Sequence, residues 1–107
     1  MESSATVRFV HAAKVLAGEA RRRGLVAPGY RCPPRLVGVD RTVRRRPGGA
    51  VVAVRVKGRP WNAVLSDMIE GVVAVNDLQP PAATRIRTDL WVLLGSEQVA
   101  TEASRVA

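Results

Sequence analysis

The apolar residues of the chain recur at helical spacing in three segments, of which the first is residues 5–23. Its apolar stripe consists of Phe9, Ala12, Ala13, Leu16, Ala17 and Ala20, which lie mostly three or four residues apart. Ser3 or Ser4 can cap the start, and Gly24 suits the position just past the end. Three arginines occupy residues 21–23, where cations favour the helix dipole. They serve the helix end alone or also face a polyanion, and the sequence does not separate the two roles.

The second segment, residues 60–78, is apolar almost all round, and a proline suits its first position. One face consists of Trp61, Val64, Leu65, Met68, Val72 and Val75. Ile69 and Val73 lie off that face, so we expect this helix to be the central and most buried element. A competing interpretation ends the helix at Glu70 and makes residues 71–75 a third strand, because the run is β-branched. We expect the helix.

The third segment, residues 81–94, opens with a proline and is closed by Gly95. Its apolar residues are Ile86, Leu90, Trp91, Leu93 and Leu94. Arg85 and Asp89 stand four apart and can pair on its outer side. Residues 96–107 show weak periodicity, and we expect a frayed or weakly helical tail.

Between the first two helices, residues 36–46 and 50–57 alternate in the way strands do. The valines Val37, Val39, Val43, Val52, Val54 and Val56 share one parity within their segments. The cations Arg44, Arg46, Arg55 and Lys57 share the other. Joined through Pro-Gly-Gly, the two segments predict an antiparallel ribbon with a valine face and a cationic face. Arg41 and Arg45 break the pattern on the valine side.

These elements predict a single small α+β domain over residues 1–95, in the order α-β-β-α-α. A two-stranded antiparallel ribbon would pack on the central apolar helix. Residues 25–35 contain three prolines and a glycine and are predicted to be a loop, in which Tyr30 covers the core or stacks on a base. Because a two-stranded ribbon is marginal alone, its valine face has to pack on the second helix, on another chain, or on both. A homodimer is therefore among the expectations.

The charge of the 107-residue chain is +8 and is unevenly distributed. Residues 1–60 contain 14 Lys or Arg against 3 Asp or Glu, whereas residues 61–107 contain 3 against 6. A basic half of this kind attracts nucleic acid, acidic protein surfaces or anionic lipid. The excess of Arg over Lys also suggests a high-GC coding origin, as in a high-GC bacterium, but such an origin does not explain why arginine avoids residues 61–84.

Catalytic and metal-binding signatures are not found in the sequence. His11 and Cys32 are the only residues of their types, so neither a Cys-based zinc site within one chain nor a nucleophile–base pair can be assembled. Asp67 and Glu70 can share a helix face, but no further ligand stands beside them. We expect no enzyme activity, no cofactor, no metal and no small-molecule ligand. With no secretion signal and no membrane-spanning run, a cytoplasmic protein is expected.

The leading hypothesis is a non-enzymatic nucleic-acid-binding protein that grips the phosphate backbone, with duplex favoured over single strand. The residues expected to bind are Arg21, Arg22, Arg23, Arg44, Arg45, Arg46, Arg55, Lys57 and Arg59. Lys57 and Arg59 also flank the start of the second helix, where free backbone N–H groups favour an anion. The alternative is a protein-interaction module that docks another chain through the apolar helix and the ribbon edge, with the arginines solvated or facing an acidic partner.

The run GGAVVAVRVKGRPWNAVLSDMIEGVVAVND, residues 48–77, places a strand before a tryptophan and then a helix. In this order it resembles the core of the KH-like domain in bacterial replicative-helicase loaders. The resemblance implies a protein of the same nucleic-acid-associated class and assigns no role to an individual residue.

Overall fold

The computed structural model of the chain describes residues 4–32, 41–46, 49–56 and 58–95. Its elements are, in order, α1 (Ser4–Arg22), β1 (Gly29–Arg31), β2 (Arg41–Arg46), β3 (Gly49–Val54), α2 (Trp61–Val75) and α3 (Ala82–Leu94). Predictions for residues 33–40, 47–48, 57 and 96–107, the frayed tail among them, lie outside the described residues. Within the described ranges, no helix is long and apolar enough to cross a membrane.

The predicted two-stranded antiparallel ribbon is wrong, and so is the order α-β-β-α-α, because a third strand is present. The sheet has the order β1-β3-β2, in which β1 pairs with β3 in parallel and β2 pairs with β3 in antiparallel orientation. Gly29 lies opposite Val51 on one side of β3, and Arg44 lies opposite Val51 on the other. The extra strand falls in the segment predicted to be a loop. Three residues beside prolines are too few to show the alternation of a strand.

The valine face of β3 packs on α2. Val52, Val54 and Val56 are all buried, as their shared parity predicts. A methyl group added to Gly71 of α2 would lie 3.2 Å from both Val52 methyls, so this glycine allows the helix to approach the sheet closely. The helix continues through Val75, which confirms the helical interpretation of residues 71–75. Eight residues of α2 are buried: Val64, Leu65, Met68, Ile69, Gly71, Val72, Val73 and Val75.

The C-terminus of α1 is closed by Gly24, which adopts a left-handed φ of 74°. The Leu25 N–H donates to the Ala20 carbonyl at 2.8 Å, and the Gly24 N–H donates to the Arg21 carbonyl at 3.0 Å. This is the Schellman pattern, in which glycine is favoured because it has no Cβ. It turns the chain sharply after the three arginines and brings it toward β1.

The amide of Asn76, just past α2, holds the chain between α1 and β1. Its Nδ2 donates to the Val26 carbonyl at 3.1 Å and to the Val72 carbonyl at 2.8 Å. Its Oδ1 accepts from the Val26 N–H at 2.7 Å. The C-terminal ends of α1 and α2 are therefore joined through one side chain.

Two ends of the molecule follow from these contacts. Gly29 starts β1 only three residues after Val26, and its register partner Val51 lies near the start of β3. Several chain ends therefore lie toward one end of the fold, which we call the hairpin end. They are the C-termini of α1 and α2, the start of β1, and the ends of β2 and β3 at residues 46 and 49. At the other end, β3 leads through Arg55 and Arg59 to the start of α2, and we call this the Trp61 end.

Candidate nucleic-acid interface

The three arginines at the C-terminus of α1 have different surroundings. Arg21 is exposed, and the side chain of Arg22 is 73% exposed while it pairs with Glu19. Arg23 is tied into the fold, because its Nε lies 2.7 Å from Glu19 Oε1 and its Nη1 lies 2.8 Å from Asp89 Oδ2 of α3. Arg21 and Arg22 are thus the members of this group that point a guanidinium toward solvent, while Arg23 joins two helices.

The arginines of the hairpin are placed by the backbone of β2. Arg44 lies opposite Val51, Arg45 opposite Ala50, and Arg46 opposite Gly49 at the connection to β3. Since cross-strand partners share a face, positions 44 and 46 fall on the face of the sheet away from the core. Position 45 falls on the core side with Ala50. The side chains of these three residues lie outside the described part of the structure.

At the Trp61 end, arginine is turned inward. Arg59 is only 14% exposed: its Nη1 donates to the Arg55 carbonyl at 3.1 Å and pairs with Asp67. The Arg8 guanidinium lies 4.3 Å from the centre of the Trp61 ring, at cation–π distance. The predicted anion site at the start of α2 therefore has one of its cations, Arg59, engaged with a carboxylate. The other, Lys57, lies outside the described residues.

The predicted site residues fall into two groups rather than one track. Residues 21–23 and 44–46 lie at the hairpin end. Arg55 directly follows β3 and Arg59 precedes α2, so both lie at the Trp61 end. The two groups are separated by the length of β3, about 17 Å at ~3.4 Å per residue. The backbone places the hairpin and the end of α1 toward one end of the fold and the start of α2 at the other.

Three further exposed cations are not among the residues predicted to bind nucleic acid: Lys14, Arg31 and Arg85. Within the described residues none of them forms an ion pair. The predicted pair of Arg85 with Asp89 is replaced by the contact between Asp89 and Arg23. Single cations on different elements give no sequence signal, because only the tertiary structure shows which carboxylates are within reach.

The carboxylates of α2 are bound by arginine and do not form an acid–base pair. Asp67 pairs with Arg59, and Glu70 accepts two hydrogen bonds from Arg87 at 2.7 and 2.9 Å. Burial raises the pKa of the Cys32 thiol, which disfavours the reactive thiolate. In the described part of the chain, no three His, Cys, Asp or Glu side chains come close enough to hold a metal ion.

Comparison of the chain with protein-family models, with curated proteins and with solved structures finds no match. The resemblance of residues 48–77 to a KH-like core therefore stays a prediction, and the function has to be argued from the geometry of the site.

Proposed function

We propose that the protein is a non-enzymatic nucleic-acid-binding protein whose hairpin end contacts the phosphate backbone. The observation that supports this most directly is that two basic segments, residues 21–23 and residues 44–46, lie toward the same end of the fold. The nearby carboxylates of Glu19 and Asp89 are already bound by Arg22 and Arg23. Arg21 is exposed and pairs with none of the described carboxylates, so its charge is available to an external polyanion. Phosphate contacts supply most of the affinity in such complexes.

Duplex nucleic acid is the favoured partner because few aromatic rings among the described residues are exposed for stacking on bases. Tyr30, the aromatic residue that the sequence offered for stacking, donates its hydroxyl to the Met68 carbonyl at 2.8 Å. Its ring packs edge-on against Phe9 with centroids 6.3 Å apart. Trp61 is covered by Arg8, which leaves Trp91 of α3 as a half-exposed ring in the described residues. Single-strand binding relies on several such rings along a groove. The proposal includes a cytoplasmic location, where nucleic acid is available.

A protein-interaction module is the second candidate, and it has support on α3. Val92 is 72% exposed beside the half-exposed Trp91. In contrast, the apolar residues of α2, which the sequence offered for docking, are buried in the protein's own core. Dimerisation stays a prediction, and sedimentation at high protein concentration tests it.

The test is gel retardation of 30-base-pair DNA and RNA duplexes over a range of salt concentrations starting at ~50 mM. We expect retardation at low salt and a log–log salt slope of about −0.9 per phosphate neutralised. Replacing Arg44 and Arg46 with alanine should reduce that slope by about two. The matched control, Lys14→Ala with Arg31→Ala, removes the same charge from other surfaces and should change the slope by less than one. Absence of retardation at low salt, or equal slopes in both double variants, would refute the proposal.

A further inference from the structure

A groove runs between α1 and β1 on the side of the fold where the sheet ends. It encloses about 300 Å³, and apolar side chains of Val10, Ala13, Ala17 and Pro28 line it. Val10 is 42% exposed there, although it lies next to the buried Phe9. This volume is at the lower limit of pockets that hold ligands. An apolar floor of this kind favours a ligand that brings apolar groups of its own.

The rim of the groove is cationic. Lys14 and Arg21 both line it, and they stand seven residues apart on α1, so their Cα atoms are separated by about 10.5 Å along the helix axis. Both are exposed, and no acidic residue is among the described residues that line the groove. A ligand with negative charges at a similar spacing would complement this rim.

The third feature is the edge of the sheet. β1 is the outermost strand of the order β1-β3-β2, and in the described part of the chain β3 is its only strand neighbour. An edge strand presents unpaired N–H and C=O groups, which an extended peptide can satisfy by adding a strand.

We propose that the groove between α1 and β1 binds an extended, acidic segment of a partner protein, which adds a strand to β1. The face of that strand that is turned to the groove carries both apolar and acidic residues, since Lys14 and Arg21 line the same groove as the apolar floor. Strand addition satisfies the backbone edge, the apolar residues fill the floor, and carboxylates meet Lys14 and Arg21. A nucleic acid would satisfy the two cations only. A second copy of this chain would bring a net charge of +8 against the same cations. The groove shares Arg21 with the proposed phosphate site at the hairpin end, so its test uses Lys14, which belongs to the groove alone.

The probe is an acetylated, amidated ten-residue peptide of sequence TVTETVTETV, titrated into the full-length ¹⁵N-labelled protein. Every second residue is threonine, so its valines and glutamates share one face of the strand. The largest amide shifts should fall in Gly29–Arg31 and along residues 10–21. Lys14→Glu should weaken binding about tenfold, whereas the matched charge reversal Arg85→Glu on α3 should change it less than twofold. Ala17→Leu, which fills the groove without changing charge, should also weaken binding.

A second peptide, N-methylated at its four central residues, keeps the charge and the side chains but cannot pair with a strand, and it should not bind. Equal binding of both peptides, or equal effects of Lys14→Glu and Arg85→Glu, would overturn the proposal. Shifts at the same residues with (dT)₂₀ but not with the peptide would assign the groove to nucleic acid. Shifts there that depend on protein concentration alone would assign it to a second copy. The peptide titration can still be interpreted if the protein does not bind duplex at the hairpin end, because Lys14 is not part of that site.

Discussion

At the Trp61 end, the Arg59 side chain is turned into the protein, whereas at the hairpin end Arg21 and Arg22 are turned toward solvent. Arg59 has Asp67 within reach two turns into α2, and it gives up most of its exposure to bind that carboxylate. At the hairpin end, Glu19 and Asp89 pair with Arg22 and Arg23, whereas Arg21 pairs with none of the described carboxylates. The count of arginines in a segment therefore does not measure its capacity to bind a polyanion.

The largest expected loss of stability comes from replacing Arg59 at the Trp61 end. Arg59→Met should lower the free energy of unfolding by about 3 kcal/mol, because Asp67 is left largely buried without its counter-charge. Urea denaturation measures this change. The double variant Arg59→Met with Asp67→Leu should recover most of the loss, since no charge then remains unpaired. If Arg59→Met lowered the salt slope of duplex binding while leaving stability unchanged, the inward role of Arg59 would be wrong.

The second prediction concerns the hydrogen bonds between Asn76 and Val26 at the hairpin end. Asn76→Ala should cost about 2 kcal/mol of unfolding free energy, because it removes the partners of both Val26 backbone groups. Asn62→Ala is the matched control, since Asn62 is exposed near the start of the same helix and should be close to neutral. Both are measured by urea denaturation. A cost equal to that of the control would mean that Asn76 does not hold the chain between α1 and β1.

Tyr30 lies between the two ends and gives a smaller, pH-dependent effect. Tyr30→Phe should cost about 1 kcal/mol near neutral pH through loss of the bond to Met68. Burial raises the pKa of the Tyr30 hydroxyl above its value in the unfolded chain, so the stability it contributes is complete below pH ~10 and falls as pH rises further.

The wild-type protein should therefore lose about 1 kcal/mol more than Tyr30→Phe between pH 9 and pH 11, as measured by urea denaturation. Cys32 is present in both proteins, so its own titration cancels in the difference. Parallel pH dependence of the two proteins would show that Tyr30 does not titrate from a buried position.

The three helices could be predicted from the sequence because each combines a regular apolar period with proline or glycine at its ends. Their observed bounds, Ser4–Arg22, Trp61–Val75 and Ala82–Leu94, start within one residue of the prediction. The largest error is at the end of α2, which was predicted at residue 78 and lies at Val75. Asp77 takes a left-handed φ of 49°, which few residues other than glycine adopt, so no sequence signal marked this end. β1 was not predictable, since a three-residue strand exists only through its pairing with β3.

The sequence indicates which cations are candidates for the site, but it does not show how they are arranged in space. The alternation of valine and cation correctly placed Val52 and Val54 in the core. It could not show that β3 ends at Val54, or that Asp67 would lie beside Arg59. Which arginine pairs with a carboxylate depends on distances between helices and strands, and these distances exist only in the folded chain.

Arg21 and Arg22 are expected to contribute least to the stability of the fold and to contribute clearly to duplex binding. Replacing Arg21 and Arg22 with alanine should alter the free energy of unfolding by no more than about 0.5 kcal/mol, because the Arg22 side chain is 73% exposed and Arg23 still neutralises the buried carboxylate of Glu19. The same variant should reduce the salt slope of duplex binding by about two. Gel retardation and urea denaturation of one protein preparation measure both quantities. A stable variant with an unchanged slope would remove α1 from the interface and leave the hairpin as its sole element, whereas a strongly destabilised variant would show that these arginines are structural, like Arg59 at the opposite end.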